Sequence, residues 1–386
     1  MVSLFMLQGC ETDIDIIAPK RDVTIIYGLL EANKTRQYIR INKAFVAEGA
    51  ASDIAAQQGV NEYSDSEMTA KVMELHSDGS ATGRVWNLQS TYVTTKEDGA
   101  FFSDSNKVYY FDATLNTNKN YRIECTVNVE GEDTKVVSAE TAVLGNRNNS
   151  TGELEEIRLT KPNLVGASSD PSLADRSEVE FLGNGDYRTS TDVNWLKAQG
   201  GVSYTCYYRF YYRDRDTITG ITTKDSLLFT VGTVRADNPN STGEITFNMN
   251  PEEFFIQVEQ NVPDYDFDNA SFKRIASDTL QYFLEIADNT LATYIEVNQP
   301  ATEIVQEQPE YTNVTNGIGI FASRYVTSTR KPYKEYESGR VFTSGTLEEL
   351  LYSNQIADSS GEGDAKYYTN KKGFLVPKRC NNGVCK

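Results

Sequence analysis

From residue 23 onward the chain alternates apolar and polar side chains at a period of two, in one short run after another. The longest case is Tyr204-Thr-Cys-Tyr-Tyr-Arg-Phe-Tyr-Tyr-Arg-Asp-Arg-Asp216. Tyr204, Cys206, Tyr208, Phe210 and Tyr212 fall on one face, and Tyr207, Arg209, Tyr211 and Arg213 on the other. A period of two sends successive side chains to opposite faces of a pleated strand and cannot form the apolar stripe of a helix. Comparable runs cover Val23–Leu30, Gln37–Phe45, Glu67–Leu75, Lys107–Asp112, Asn120–Val129 and Lys135–Val143. Further runs cover Glu156–Leu159, Val179–Leu182, Asp225–Val234, Glu244–Asn248 and Leu280–Ile286. Gly, Asn, Asp and Ser separate them. The expected fold is mainly β: an immunoglobulin- or fibronectin-like β-sandwich, then a second β-rich domain with a few short helices.

The 386 residues exceed one ordinary β domain. Gly145-Asn-Arg-Asn-Asn-Ser-Thr-Gly152 is a polar, turn-forming stretch and is the expected boundary. The resulting division is a residual signal segment at 1–9, a tether at 10–21, a sandwich at 22–145, a β-rich domain at 153–355 and a polar C-terminal segment at 356–386. Asn250-Pro251-Glu252-Glu253 is a helix start, with an N-cap side chain, Pro at the first helical position and acids in the first turn. Asp288 or Asn289 caps a short helix over Thr290–Val297, and Thr346 with Glu349 forms a capping box for another. A helical turn is expected at Asp53–Gln58. Tyr121, at the head of Tyr121-Arg-Ile-Glu-Cys125, is placed for a tyrosine corner.

The N-terminal residues MVSLFMLQGC end in Leu7-Gln8-Gly9-Cys10. This segment resembles the lipobox of bacterial lipoproteins, in which a small residue precedes the Cys that receives the lipid. Residues 1–9 contain no Lys or Arg, whereas a secretory leader needs a basic n-region, so the reading expects the leader to begin further upstream. A short strand with a buried Cys is the alternative. Glu11, Asp13 and Asp15 follow at once and look like the acidic surface-export signal of Bacteroidota lipoproteins; a solvated tether is the plainer reading. No stretch reaches the ~20 apolar residues of a transmembrane helix.

Composition narrows the chemistry. The formal charge is −18, which sets the chain against phosphate backbones, so nucleic acid is not an expected partner. The sole His, His76, precedes Ser77-Asp78-Gly79 and is expected in a turn; one His removes most His-based triads and metal sites. Asp264, Asp266 and Asp268 alternate as in a calcium loop, but Asn269 stands where the turn Gly belongs and Ile275 where the bidentate Glu belongs. A solvated acidic loop is favoured over a metal site, and no cofactor is expected. Cys380 and Cys385 close a small loop and are expected to form a disulfide in an exported chain, while Cys125 and Cys206 are expected as buried free thiols. For Tyr207, Arg209, Tyr211 and Arg213, an ordinary half-buried strand is the simplest reading, with partner docking or glycan stacking as alternatives. Three Asp-Ser/Thr-apolar triplets (at Asp216, Asp225 and Asp278) resemble a short glycosylation sequon, but about two arise by chance at this length.

The stretch LQYFLEIADNTLATYIEVNQPATEIVQEQPEYTNVTNGIGIF, Leu280–Phe321, resembles a family of Bacteroidota outer-membrane lipoproteins known as a domain of unknown function. Its most specific part is Asn316-Gly-Ile-Gly-Ile-Phe321. The lipobox, acidic tether, early strand Val23–Leu30 and late Cys pair fit the same family, whereas the region from Gly145 to Asn250 has no counterpart. The resemblance implies an accessory role beside a TonB-dependent outer-membrane β-barrel and carries over no catalytic residue. Physically, Asn316-Gly317 is a turn signal and Gly319 allows close backbone approach. The expectation is thus a non-enzymatic, lipid-anchored surface lipoprotein of the outer membrane that assists such a transporter. A surface adhesin or scaffold, and a carboxylate-based glycan hydrolase, are the alternatives.

Overall fold

The computed structural model describes residues 23–44, 60–94, 105–131, 133–148, 150–161, 181–183, 186–187, 191–264, 272–299, 311–331, 374–375, 380–381 and 384–385. The chain is mainly β, with several sheets in a sandwich-like arrangement. The first half supplies β1 (Val23–Leu30), β2 (Arg36–Ala44), β3 (Met68–Leu75), β4 (Ala81–Asn87), β5 (Gln89–Val93), β6 (Asn106–Asp112), β7 (Asn120–Val127) and β8 (Lys135–Ala142). The second supplies β9 (Leu159–Lys161), β10 (Thr191–Leu196), β11 (Ser203–Asp216), β12 (Thr222–Arg235), β13 (Glu244–Met249), helix α1 (Pro251–Asn261), β14 (Phe272–Ala287), helix α2 (Asn289–Val297) and β15 (Ile318–Lys331).

One long sheet runs β12-β11-β14-β15-β1-β2-β6-β5. Its first-half portion packs against a four-stranded sheet, β4-β3-β7-β8, around Ile26, Ile39, Phe111, Ile123, Val137 and Phe321. Its other portion packs against β9-β10-β13 and α1, around Trp195, Tyr204, Phe210, Phe247, Phe254 and Leu284. There are two cores, but neither keeps to one side of the boundary stretch: the first includes Val314 and Phe321, the second includes Leu144, and one sheet joins them. The joint is β15. Its first residues pair in parallel with β1, from Ile25 opposite Ile318 to Leu30 opposite Ser323. Its later residues pair antiparallel with β14, from Ala287 opposite Arg324 to Leu280 opposite Lys331. The polar boundary stretch is itself tied down: Asn146 Nδ2 donates to Lys197 O, and Arg147 Nη2 donates to Leu115 O.

Local chemistry explains the elements. Along β11, Tyr204, Cys206, Tyr208, Phe210 and Tyr212 are buried while the intervening residues are half-buried or exposed, as the period of two requires. In α1, Asn250 accepts from Glu252 N, Pro251 opens the helix, and Phe254, Phe255 and Val258 are fully buried. Burying each of these three side chains stabilises the fold by roughly 1.5–3 kcal/mol. Asp288, rather than Asn289, caps α2 by accepting from Leu291 N. Tyr121 makes the expected corner: its hydroxyl accepts from Asn116 N at 2.7 Å and donates to Glu74 Oε2 at 3.0 Å. Asn316 has φ +60, and Gly319 has φ +105 with its Cα against the Ile26 carbonyl, so both roles expected of this turn are structural.

The strands β4, β5 and β10 were not expected from sequence. β4 and β5 are solvent-facing along most of their length and lack the alternating burial that makes a strand legible. The helix expected at Thr346 and the turn at Asp53–Gln58 lie outside the described residues, as do residues 332–373.

Candidate functional site

Two surfaces of the long sheet combine aromatic and arginine side chains. The first is the outer face of β11. Tyr207 lies opposite Phe283 of β14 and Arg209 opposite Leu228 of β12, and the Arg209 guanidinium sits 5.1 Å from the Phe283 ring centre. The Tyr211 hydroxyl donates to Gln281 Oε1. Burial, then Glu285, raises the Tyr207 phenol above its ordinary value. Arg213 lies further along the same strand and is exposed. These four residues are therefore brought together on one face, where Leu228 adds an apolar side chain that is 56% exposed.

The second surface is a cleft of about 480 Å³ between α2 and the outer side of the first sandwich. Sheet register builds its floor: Tyr27 lies opposite Arg40 of β2 on one side and opposite Ile320 of β15 on the other. Leu29 and Tyr38 extend the floor, while Leu291, Tyr294 and Ile295 form the helical wall. Tyr27 and Tyr294 meet edge-to-face with ring centres 6.4 Å apart. Burial and the facing Tyr294 hydroxyl hold the Tyr27 phenol above its ordinary value, and Arg40 offsets part of this. Tyr27, Tyr38 and Ile295 are 43%, 50% and 46% exposed, unusually open for large apolar side chains gathered in one place.

The wall is held in place from below. Asp288 Oδ2 accepts from Ser323 N at 2.7 Å and from Thr141 Oγ1 at 3.1 Å, so the cap of α2 also ties β15 to β8. The Ser323 hydroxyl donates to Leu30 O, and its oxygen accepts from Leu144 N. Burial pushes the Asp288 carboxyl above its ordinary range, partly offset by these donors.

Sequence reasoning did not find this cleft. Its signal was present in the residues: the outward positions of β1 and β2 are Tyr27, Leu29, Tyr38 and Arg40, where a plain solvent face would carry small polar side chains. What the sequence lacks is the pairing of β1 with β15, some 290 residues away, which brings α2 over that face.

The remaining expected sites divide as follows. Cys10, Glu11, Asp13, Asp15, Asp266 and Asp268 lie outside the described residues. Asp264 is exposed just beyond α1, and no group of three or more His, Cys, Asp or Glu placed to hold a metal occurs among the described residues. Cys380 and Cys385 are direct partners in a two-residue antiparallel pair. Directly opposed residues in such a pair have Cα atoms ~4.5–5.5 Å apart, the separation a disulfide needs. Cys125 and Cys206 are buried free thiols in different cores, as expected, and burial pushes both up to about 12. His76 is exposed in a turn, where its N–H donates to Ser80 O. No described helix is long and apolar enough to cross a membrane.

The chain matches no protein-family model, and no curated protein aligns with it significantly.

Proposed function

We propose that this chain is a non-enzymatic, surface-exposed outer-membrane lipoprotein that assists a TonB-dependent transporter or a related outer-membrane complex. The observation that carries the reading is Leu7-Gln8-Gly9-Cys10 followed directly by Glu11, Asp13 and Asp15. Acyl chains on Cys10 would anchor the protein at ~0.8 kcal/mol per buried methylene, and two or more chains make such an anchor stable. The acidic residues behind it suit export to the outer surface. The two sandwiches share a sheet, so they suit presentation of one continuous face to a partner. On that sheet Tyr207, Arg209 and Tyr211 offer the side chains in which interface energy concentrates.

Extraction of native membranes in mild detergent tests the role. The expected result is recovery of the chain with an outer-membrane β-barrel, and a weaker association for Arg209→Ala combined with Tyr211→Ala. Circular dichroism checks that the double variant is folded. A chain that elutes alone at several detergent strengths overturns the transporter role and favours the adhesin or scaffold reading, which rests on the joined sandwiches. A complex that forms equally well with the double variant keeps the role and moves the docking face elsewhere.

A further inference from the structure

The cleft under α2 is lined by none of the residues of the β11 face. Its volume falls within the ~300–1,000 Å³ of small-molecule sites. Its floor and wall are mostly carbon, and its polar groups are largely engaged already. Arg36 forms a two-point pair with Asp112, at 2.7 and 2.9 Å. Arg324 donates Nε and Nη2 to Glu31 Oε1 at 3.1 and 2.8 Å. Gln37 is consumed by the backbone of Glu31 and Lys34. Arg40 differs. Its Nε donates to Asn42 Oδ1, and among the described residues it has no carboxylate partner.

Of the arginines lining the cleft, Arg40 is thus the one without a carboxylate partner among the described residues. We propose that this cleft binds a small amphipathic carboxylate, with its apolar body against Tyr27, Tyr38, Leu291 and Ile295 and its carboxylate on the Arg40 guanidinium. Guanidinium and carboxylate match in charge and in fork geometry. A neutral apolar ligand would leave Arg40 without a carboxylate partner. A saccharide would need polar partners along its whole length, whereas the polar groups here are Arg40 and the hydroxyls of Tyr27, Tyr38 and Tyr294 around an apolar floor.

The test is isothermal titration calorimetry of the 386-residue chain with laurate, kept below its micelle concentration. Laurate is expected to bind saturably at one site. Dodecanol, which has the same tail without the charge, is expected to bind about tenfold more weakly or worse, the loss of one charge-assisted contact. Arg40→Gln is expected to lose a similar factor, and Ile295→Glu, at an exposed wall position, to abolish laurate binding. Arg215→Gln, at an exposed arginine in β11 of the other sandwich, should bind as the unsubstituted chain does. Equal affinity for laurate and dodecanol, or equal laurate affinity with and without Arg40, overturns the proposal. So does the absence of saturable laurate binding, and so does heat from an oligogalacturonate in place of laurate, which would mark a glycan site. None of these results bears on lipidation at Cys10 or on the transporter.

Discussion

Gly319 sits where the two sandwiches are joined, and replacing it with Ala should damage the fold in a way that can be calculated and isolated. Its φ of +105 lies in a region that L side chains rarely adopt, and such strain costs about 1–3 kcal/mol. An added Cβ would also lie 2.1 Å from the Ile26 carbonyl oxygen and 3.0 Å from its carbon. Backbone cannot give way as a flexible side chain can. Relief requires β15 to draw back from β1, which weakens the parallel pairing from Ile318 to Ser323. Overpacking of this kind costs a further ~1–3 kcal/mol, so the total is about 4 kcal/mol. With an unfolding entropy of ~2.1 cal/mol/K per residue, a 386-residue chain loses about 1.2 °C per kcal/mol, so the melting temperature should fall by roughly 5 °C. Gly79→Ala is the control. Gly79 has φ +84 but nothing within 4 Å of its added Cβ, so it carries the conformational cost alone, about 1–2 kcal/mol. Urea unfolding followed by circular dichroism measures both. If the two variants lose the same stability, the backbone clash at Ile26 contributes nothing and the account of the joint is wrong.

Other substitutions test separate parts of the structure. Tyr121→Phe removes the hydroxyl bonded to Asn116 N and Glu74, and should cost about 1–3 kcal/mol in urea unfolding; a change below a few tenths would show that the corner is ornamental. Asp288→Ala removes the α2 cap and the ties to Ser323 and Thr141, and should cost about 2–3 kcal/mol while lowering laurate affinity. The same carboxyl is raised by burial, so its contribution is fullest below the ordinary carboxylate value and is lost as pH rises through its folded value. Stability against pH should therefore lose that component in Asp288→Asn, and an unchanged profile would count against the assignment. Changing Glu11, Asp13 and Asp15 together to Ala should leave lipidation intact but protect the protein from protease added to whole cells; equal digestion would reduce the acids to a tether.

Much of the fold was legible because local chemistry and tertiary burial agree. The β11 strand announced its two faces through strict alternation, α1 through its Asn-Pro-Glu-Glu start, and the first sandwich through the placement of Tyr121. Gly319 also disclosed its role, since a glycine inside an apolar run points to close backbone approach. The illegible parts were of two kinds. β4 and β5 face solvent, so burial imposes no pattern on Thr82, Arg84 or Ser90 that would mark a strand. The union of the sandwiches depends on register between β1 and β15, and nothing in Ile25 or Ile318 alone states that they will be neighbours. The cleft inherits that blindness. Tyr294 was visible on a short helix and Tyr27 on an early strand, but their meeting is a product of topology.

The central claim is that Cys10 anchors this chain to the outer membrane, and mass spectrometry of its N-terminus tests that most directly. The protein would be expressed with its native leader, extracted from membranes and digested. The account predicts a mature N-terminal peptide that begins at Cys10 and carries acyl chains, together with release of the Cys10→Ser protein into the soluble fraction. An unmodified peptide that runs through Gly9 and Cys10, from protein that still sediments with membranes after a high-salt wash, would contradict it.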